Sequence, residues 1–363
     1  MLRRPYPIAG RSALPGLALL LLGGCASVPE SADEARAPAV WPAPPEAPRF
    51  RHEATLGSTL DLTAATAEST LKSALTGIQP QAEPVFQKPF AVAARAGRIY
   101  VSDTQARVIH VYDLPRRRIF RLGYRREGAL RKPLGVAVDG RGVVYVADVT
   151  ARRVIAYDAY GLYLRDFGQP DDYTRPTGVA ASADGSRVYV VDTGGVDSDR
   201  HRLLVYDGAG DRIATVGTRG SGPGQFNLPT AAAVAPDGTV YVLDGGNFRV
   251  QAFDRDGRFL RAWGELGKGL GQLARPRGIA VGPRGNVYVS DGSFGNVQVF
   301  DPDGRLLLPI GSSQASPEPG SYPLIAGVAV DETGRLYVVD QFFAKVEVLR
   351  YVGDDASPDP ARP

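Results

Sequence analysis

The chain has 363 residues, 42 Lys and Arg against 39 Asp and Glu, and a single cysteine. A net charge of +3 is too small to argue for a nucleic-acid partner by bulk electrostatics, and a lone thiol excludes an internal disulfide framework.

In chain order, Arg3, Arg4 and Arg11 surround and precede a short apolar run, residues 13–22, which Gly23, Gly24 and Cys25 follow. The run is too short to span a bilayer and has the layout of a secretion signal. Leu22-Gly23-Gly24-Cys25 resembles the bacterial lipobox, which implies that residues 1–24 are a cleaved signal peptide and that Cys25 is lipidated. The three arginines of this leader equal the whole net charge, so the mature chain is neutral. Lipidation also consumes the only thiol, leaving none for catalysis or haem attachment. Ala26, rather than Asp, follows the cysteine; the resemblance to Gram-negative lipoproteins then implies an outer-membrane anchor, with the protein facing the periplasm. Residues 25–48 are Ala, Pro and Glu rich, with Trp41 as the one large aromatic, and read as an extended tether.

Residues 49–57, RFRHEATLG, alternate apolar and polar as one strand does, yet have no sequence neighbour to pair with. Residues 58–87 form a long link in which Leu71, Leu75 and Ile78 fall at helical spacing, predicting a short amphipathic helix.

From there a repeat takes over. The pattern YVxD ends at Asp103, Asp148, Asp192, Asp244, Asp291 and Asp340, six copies spaced by one propeller blade. A small-residue strand precedes each copy and a third strand follows it, and five copies add a fourth strand ending in glycine. Residues 222–264, GPGQFNLPTAAAVAPDGTVYVLDGGNFRVQAFDRDGRFLRAWG, closely resemble the NHL repeat, and the resemblance extends over residues 86–352. It implies an all-β, six-bladed β-propeller. The sixth repeat stops after its third strand, so residues 49–57 are expected to supply its outer strand, removing an open edge. The expected organisation is a signal peptide (1–24), a tether (25–48), a propeller (49–352, with 58–87 as a helical insertion that either pads the channel mouth or binds a partner) and a disordered tail (353–363).

Candidate functional residues collect on the face that carries the d-to-a and b-to-c loops. Lys88, Lys132, Arg175 and Arg275 each stand just before the proline that opens an inner strand, ringing one end of the channel with positive charge. Phe248, Phe294, Phe342 and Phe343 fall in b-to-c loops of the last three blades and are candidates for partner contact. Asp192, Asp197 and Asp199 cluster in the longest such loop as a weak calcium candidate; the acidic c-to-d turns lack the twelfth-position Glu of a calcium loop. Resemblance to lactonase propellers would imply a metal held by Glu, Asn and Asp on the inner strands, but those strands carry only apolar or small residues and Arg277. No cofactor is expected.

The residues lead to the expectation of a membrane-anchored, non-enzymatic propeller serving as a protein-binding scaffold or sensor in the bacterial envelope. One alternative is a lyase- or lactonase-type enzyme acting at the channel mouth through Arg175, Arg277 or Asp192. A second is a glycan or peptidoglycan binder.

Overall fold

The computed structural model describes residues 37–62 and 81–353. Contacts divide the chain into Met1–Ala37 and Pro38–Pro363, and every described strand belongs to the second unit. The expected leader, Cys25, the helical stretch 71–78 and nearly all of the tail lie outside the described residues.

Six antiparallel sheets follow one another along the chain. Blade 1 is β3 (Pro89–Arg95), β4 (Arg98–Asp103), β5 (Val108–Asp113) and β6 (Arg118–Leu122). Blade 2 is β7 (Pro133–Val138), β8 (Val144–Asp148), β9 (Arg153–Tyr157) and β10 (Tyr163–Phe167). Blade 3 comprises β11 (Pro176–Ala181), β12 (Arg187–Asp192), β13 (Arg202–Asp207) and β14 (Arg212–Val216). Blade 4 comprises β15 (Pro229–Val234), β16 (Val240–Asp244), β17 (Arg249–Phe253) and β18 (Phe259–Trp263). Blade 5 comprises β19 (Pro276–Val281), β20 (Val287–Asp291), β21 (Asn296–Phe300) and β22 (Leu306–Ile310). Blade 6 takes β23 (Ile325–Val330), β24 (Leu336–Asp340) and β25 (Lys345–Tyr351) from the C-terminal part of the chain. The inner strands β3, β7, β11, β15, β19 and β23 each touch the next, and β23 returns to β3, so they form a ring around a central channel. Two short 3-10 segments, Pro170–Asp172 and Gly245–Asn247, interrupt the strands.

The repeated YV pair explains why blades stack. In an antiparallel sheet with one wet face, alternate residues would be polar, but here the second strand of every blade is buried on both faces. Tyr100 packs with Val136 and Val146 of blade 2, whereas its neighbour Val101 packs with Tyr337 and Val339 of blade 6. The same alternation gives six cores, each shared by two adjacent blades.

Five inner strands open on proline, which has no N–H to give and so suits a strand's first position. Further in, the strands converge so closely that little more than glycine fits. A Cβ on Gly135 would lie 2.9 Å from the Cα of Gly178, and one on Gly327 would lie 2.7 Å from the Cα of Ala91.

The outer side of blade 6 is built from residues far upstream. β2 (Phe50–Leu56) pairs antiparallel with β25, Phe50 opposite Tyr351 and Leu56 opposite Val346. Glu53 accepts two hydrogen bonds from Arg335, at 2.6 and 3.0 Å, and Phe50 lies edge-on to Tyr351 with centroids 5.1 Å apart. The tether ends earlier than position 48, which corrects the expected boundary. Val40–Trp41 forms β1, a fifth strand paired with β2, because the N–H groups of Arg49 and His52 donate to the carbonyls of Trp41 and Ala39 while the Trp41 ring packs on the core shared by blades 5 and 6. Blades 6 and 1 are also joined by Gln341, whose Nε2 donates to the Pro89 carbonyl at 2.7 Å, and by Glu332, which accepts from the Ala96 N–H at 2.8 Å.

Candidate functional site

The repeated aspartates are fully buried and serve as staples. Asp103 accepts from the N–H groups of Gln87 and Lys88, at 2.7 and 3.1 Å, and from Gln105 and Ala106 in the following turn. Asp148 does the same for Arg131, Lys132, Thr150 and Ala151. Each carboxylate thus pins the segment entering an inner strand to the end of the next strand, fixing the residue before the proline in space. Burial alone would raise the pKa of Asp103; the His110 imidazole 3.7 Å away and the N–H groups of Ala106, Gln87 and Lys88 outweigh it and hold the value at about 2.

These staples deliver side chains to one end of the channel. There a cavity of about 610 Å³ is lined by Lys88, Lys132, Arg175 and Arg277, with Thr104, Thr150 and Gln341 from the b-to-c loops. Among the described residues no acidic side chain lines it. Three of the four cations singled out in the sequence meet here; the fourth, Arg275, is not part of the lining, and Arg277, two positions on, takes its place. Lys88, Lys132 and Arg175 are exposed, and none of the four lining cations has an ion pair or a side-chain hydrogen bond among the described residues. Arg277 is half-buried, with its guanidinium 6.0 Å from the centre of the Phe90 ring across the mouth. Burial, then the nearby charge of Arg275, push its pKa below the ordinary arginine value, which still leaves it cationic at neutral pH.

The hydroxyls of the mouth are partly committed. The Thr177 and Thr193 hydroxyls lie 2.5 Å apart, with Thr193 2.6 Å from the Pro229 carbonyl and Thr177 3.1 Å from the Thr230 carbonyl, so one hydroxyl donates to the other and that other donates to its own carbonyl. Below the mouth the cavity opens into the channel, whose walls are Ala, Val, Gly and Ile apart from Phe90, Thr177, Thr230 and Arg277.

Among the phenylalanines, Phe342 is 62% exposed and stands edge-on to Phe343, with centroids 4.9 Å apart. Phe343, Phe248 and Phe294 are half-buried, and Phe248 packs on the core between blades 4 and 5. Asp192 is one of the staples: its carboxylate accepts from the N–H groups of Thr174 and Arg175 and from Arg202. It is therefore neither available to a calcium ion with Asp197 and Asp199 nor presented to the mouth. Among the described residues no three of His, Cys, Asp and Glu converge. A metal of the kind implied by the lactonase resemblance does not fit this channel, since among the described residues its walls offer no carboxylate or imidazole.

The family model for the NHL repeat matches residues 226–253 and 273–300, which lie in blades 4 and 5. The chain carries NHL repeats. Solved structures similar to this NHL propeller include a gluconolactonase from Xanthomonas campestris, 21% identical with a TM-score of 0.53, covering 73% of this chain and 86% of that one. A virginiamycin B lyase from Staphylococcus aureus is 11% identical with a TM-score of 0.54, covering 84% of this chain and 100% of that one. Hydrazine synthase from Kuenenia stuttgartiensis is 14% identical with a TM-score of 0.52, over 76% and 99%. At these identities the likeness is one of fold. It nonetheless corrects the expectation of a non-enzymatic protein: this NHL propeller shares its fold with a lactonase and a lyase, so the lack of a familiar catalytic constellation is no ground for setting enzymatic activity aside.

Arg277 entered the sequence reading only as part of an alternative. The signal that marks it is a cation inside an otherwise apolar inner strand, where burial is unfavourable unless a partner compensates.

Proposed function

We propose that this protein is a lipid-anchored NHL propeller of the bacterial envelope whose channel mouth binds a small organic anion and acts on it there. The observation that carries this reading is Arg277: a half-buried guanidinium with no acid beside it among the described residues, in a cavity where Lys88, Lys132 and Arg175 add charge of the same sign. Four like charges repel one another, and an arrangement that holds them together without counter-charges favours an anion that supplies it. The lipobox at Leu22–Cys25 supports the anchor.

The chemistry such a set offers is electrostatic. A carboxylate or phosphate entering the mouth meets Lys88, Lys132 and Arg175 at the rim, with Arg277 deepest. A fixed cation in a partly desolvated pocket favours a transition state in which negative charge gathers on an oxygen, as it does when an ester or lactone is opened or when an enolate forms ahead of elimination. The gluconolactonase and lyase of the same fold support looking for reactions of that type.

Calorimetric titration with citrate at low ionic strength tests the reading. Arg277→Gln should weaken binding at least tenfold, while Arg258→Gln, in an exposed turn outside the mouth, should leave it unchanged. Equal affinities for wild type and Arg277→Gln would remove the mouth as the site.

A further inference from the structure

We propose that the outer rim between blades 1 and 2 is a docking surface for an anionic bilayer. Residues 113–133, DLPRRRIFRLGYRREGALRKP, hold eight cations and two acids, the densest run of positive charge in the chain. Part of this charge is spoken for: Arg116 and Arg118 pair with Asp113 at 3.3 and 3.7 Å, and Arg117 donates to the Leu62 carbonyl at 3.2 Å. Arg121, Arg125, Arg126 and Arg131 are exposed, and their side chains make no ion pair or hydrogen bond among the described residues; Arg125 only overlies the Tyr124 ring, 5.9 Å from its centre.

Apolar groups stand beside Arg125 and Arg126, while Arg121 extends the charge along the outer strand of blade 1. Tyr124 is 61% exposed, Leu162 48% and Leu164 45%. Arg125, Arg126, Leu162 and Tyr163, with Glu127 as the one acid, line a cavity of about 450 Å³ at the junction of the two blades, so cations in excess and apolar side chains present a common surface. Leu162 and Leu164 belong to the turn before β10 and to β10 itself, the outermost strand of blade 2, which has no further strand to cover it.

This combination selects the occupant. A nucleic acid would be matched by arginines and stacking aromatics and gains nothing from exposed leucines. An anionic lipid surface uses both: guanidinium groups reach headgroup phosphates, while Leu and Tyr enter the interfacial layer. The tether also places such a surface within reach. Between Cys25 and Pro38 a fully extended chain spans at most about 45 Å. Of the run only Lys132 belongs to the channel mouth, and the surface does not depend on it.

Sedimentation with vesicles of phosphatidylcholine and phosphatidylglycerol, 3:1 against pure phosphatidylcholine, tests the proposal, using the full chain carrying Cys25→Ser so that no acyl group contributes. The protein should bind the phosphatidylglycerol vesicles more tightly. The combined Arg121→Gln, Arg125→Gln and Arg126→Gln variant should lose on the order of a hundredfold of that difference, about fivefold per cation. Arg212→Gln, Arg258→Gln and Arg305→Gln together, on blades 3 to 5, should lose far less, and Leu162→Ser with Leu164→Ser should weaken binding that survives high salt. All these positions are at the surface, and unchanged melting curves verify that the variants fold. Equal losses in the two arginine triples would reduce the effect to net charge and overturn the proposal. So would binding to soluble heparin as tight as to vesicles and indifferent to the leucine changes, which would make the partner a polyanion in solution.

Discussion

Asp103 shows how a residue repeated for structural reasons also positions a functional group, because the Lys88 N–H it accepts belongs to a lysine of the mouth. Its carboxyl titrates near 3.9 in an unfolded chain and at about 2 in the fold. A depressed pKa stabilises the fold fully above the unfolded value, and that contribution disappears as the pH falls through the folded one. Between pH 4.5 and 2.5 the wild type should therefore lose part of about 2.5 kcal/mol that Asp103→Asn lacks from the outset, and urea unfolding of both proteins at the two pH values measures the difference. The role of the YVxD aspartates as turn caps was legible in their recurrence. The polar site on the third strand was not: His110, Gln251, Gln298 and Glu347 occupy one register position, opposite Val101, Val242, Val289 and Val338. Four different side chains share no motif, and only the register aligns them. Gln251 and Gln298 there accept the N–H groups of Gly224 and Gly271, and Glu347 that of Gly320, so this position fixes the loop that leads into its own blade.

Among the elements, the inner strands are the most constrained. A methyl on Gly327 would press on the Cα of Ala91 at 2.7 Å and the Phe90 carbonyl at 2.8 Å, both backbone atoms of the neighbouring strand that cannot swing aside. Gly327→Ala should destabilise by about 1–3 kcal/mol. Gly195→Ala, where a Cβ meets nothing within 4 Å, should move the melting midpoint very little. A smaller loss in Gly327→Ala than in Gly195→Ala would contradict this account of ring packing. The six blades, their order and their turns were readable because each repeat restates the same pattern. The two-residue strand Val40–Trp41 was hidden, since two residues have no period and the surrounding prolines read as tether. The replacement of Arg275 by Arg277 at the mouth was hidden too. Register shifts between Pro276 and Gly278, so counting residues along the strand does not give the direction of a side chain next to the bulge.

At the scale of the whole molecule, six shared cores make each blade depend on its neighbours, and Phe50 ties the upstream strand into that ring. It is 2% exposed and packs on Tyr288 of blade 5 as well as Tyr351 of blade 6. Phe50→Ala should cost about 3–5 kcal/mol, read as an earlier denaturant midpoint, against less than about 0.5 kcal/mol for the exposed Arg51→Ala. Equal midpoints would show that β2 contributes little to the ring. The position of β2 also sets a clock. Glu53 and Arg335 are 282 residues apart, and a ribosome adding roughly 5–20 residues per second takes on the order of 15 to 60 seconds to cover that distance. Throughout that interval β2 is already made and its partner is not, so a strand synthesised before any blade exists is among the last to find its place. A nascent chain of this design must be kept from pairing that edge elsewhere until its final blade exists.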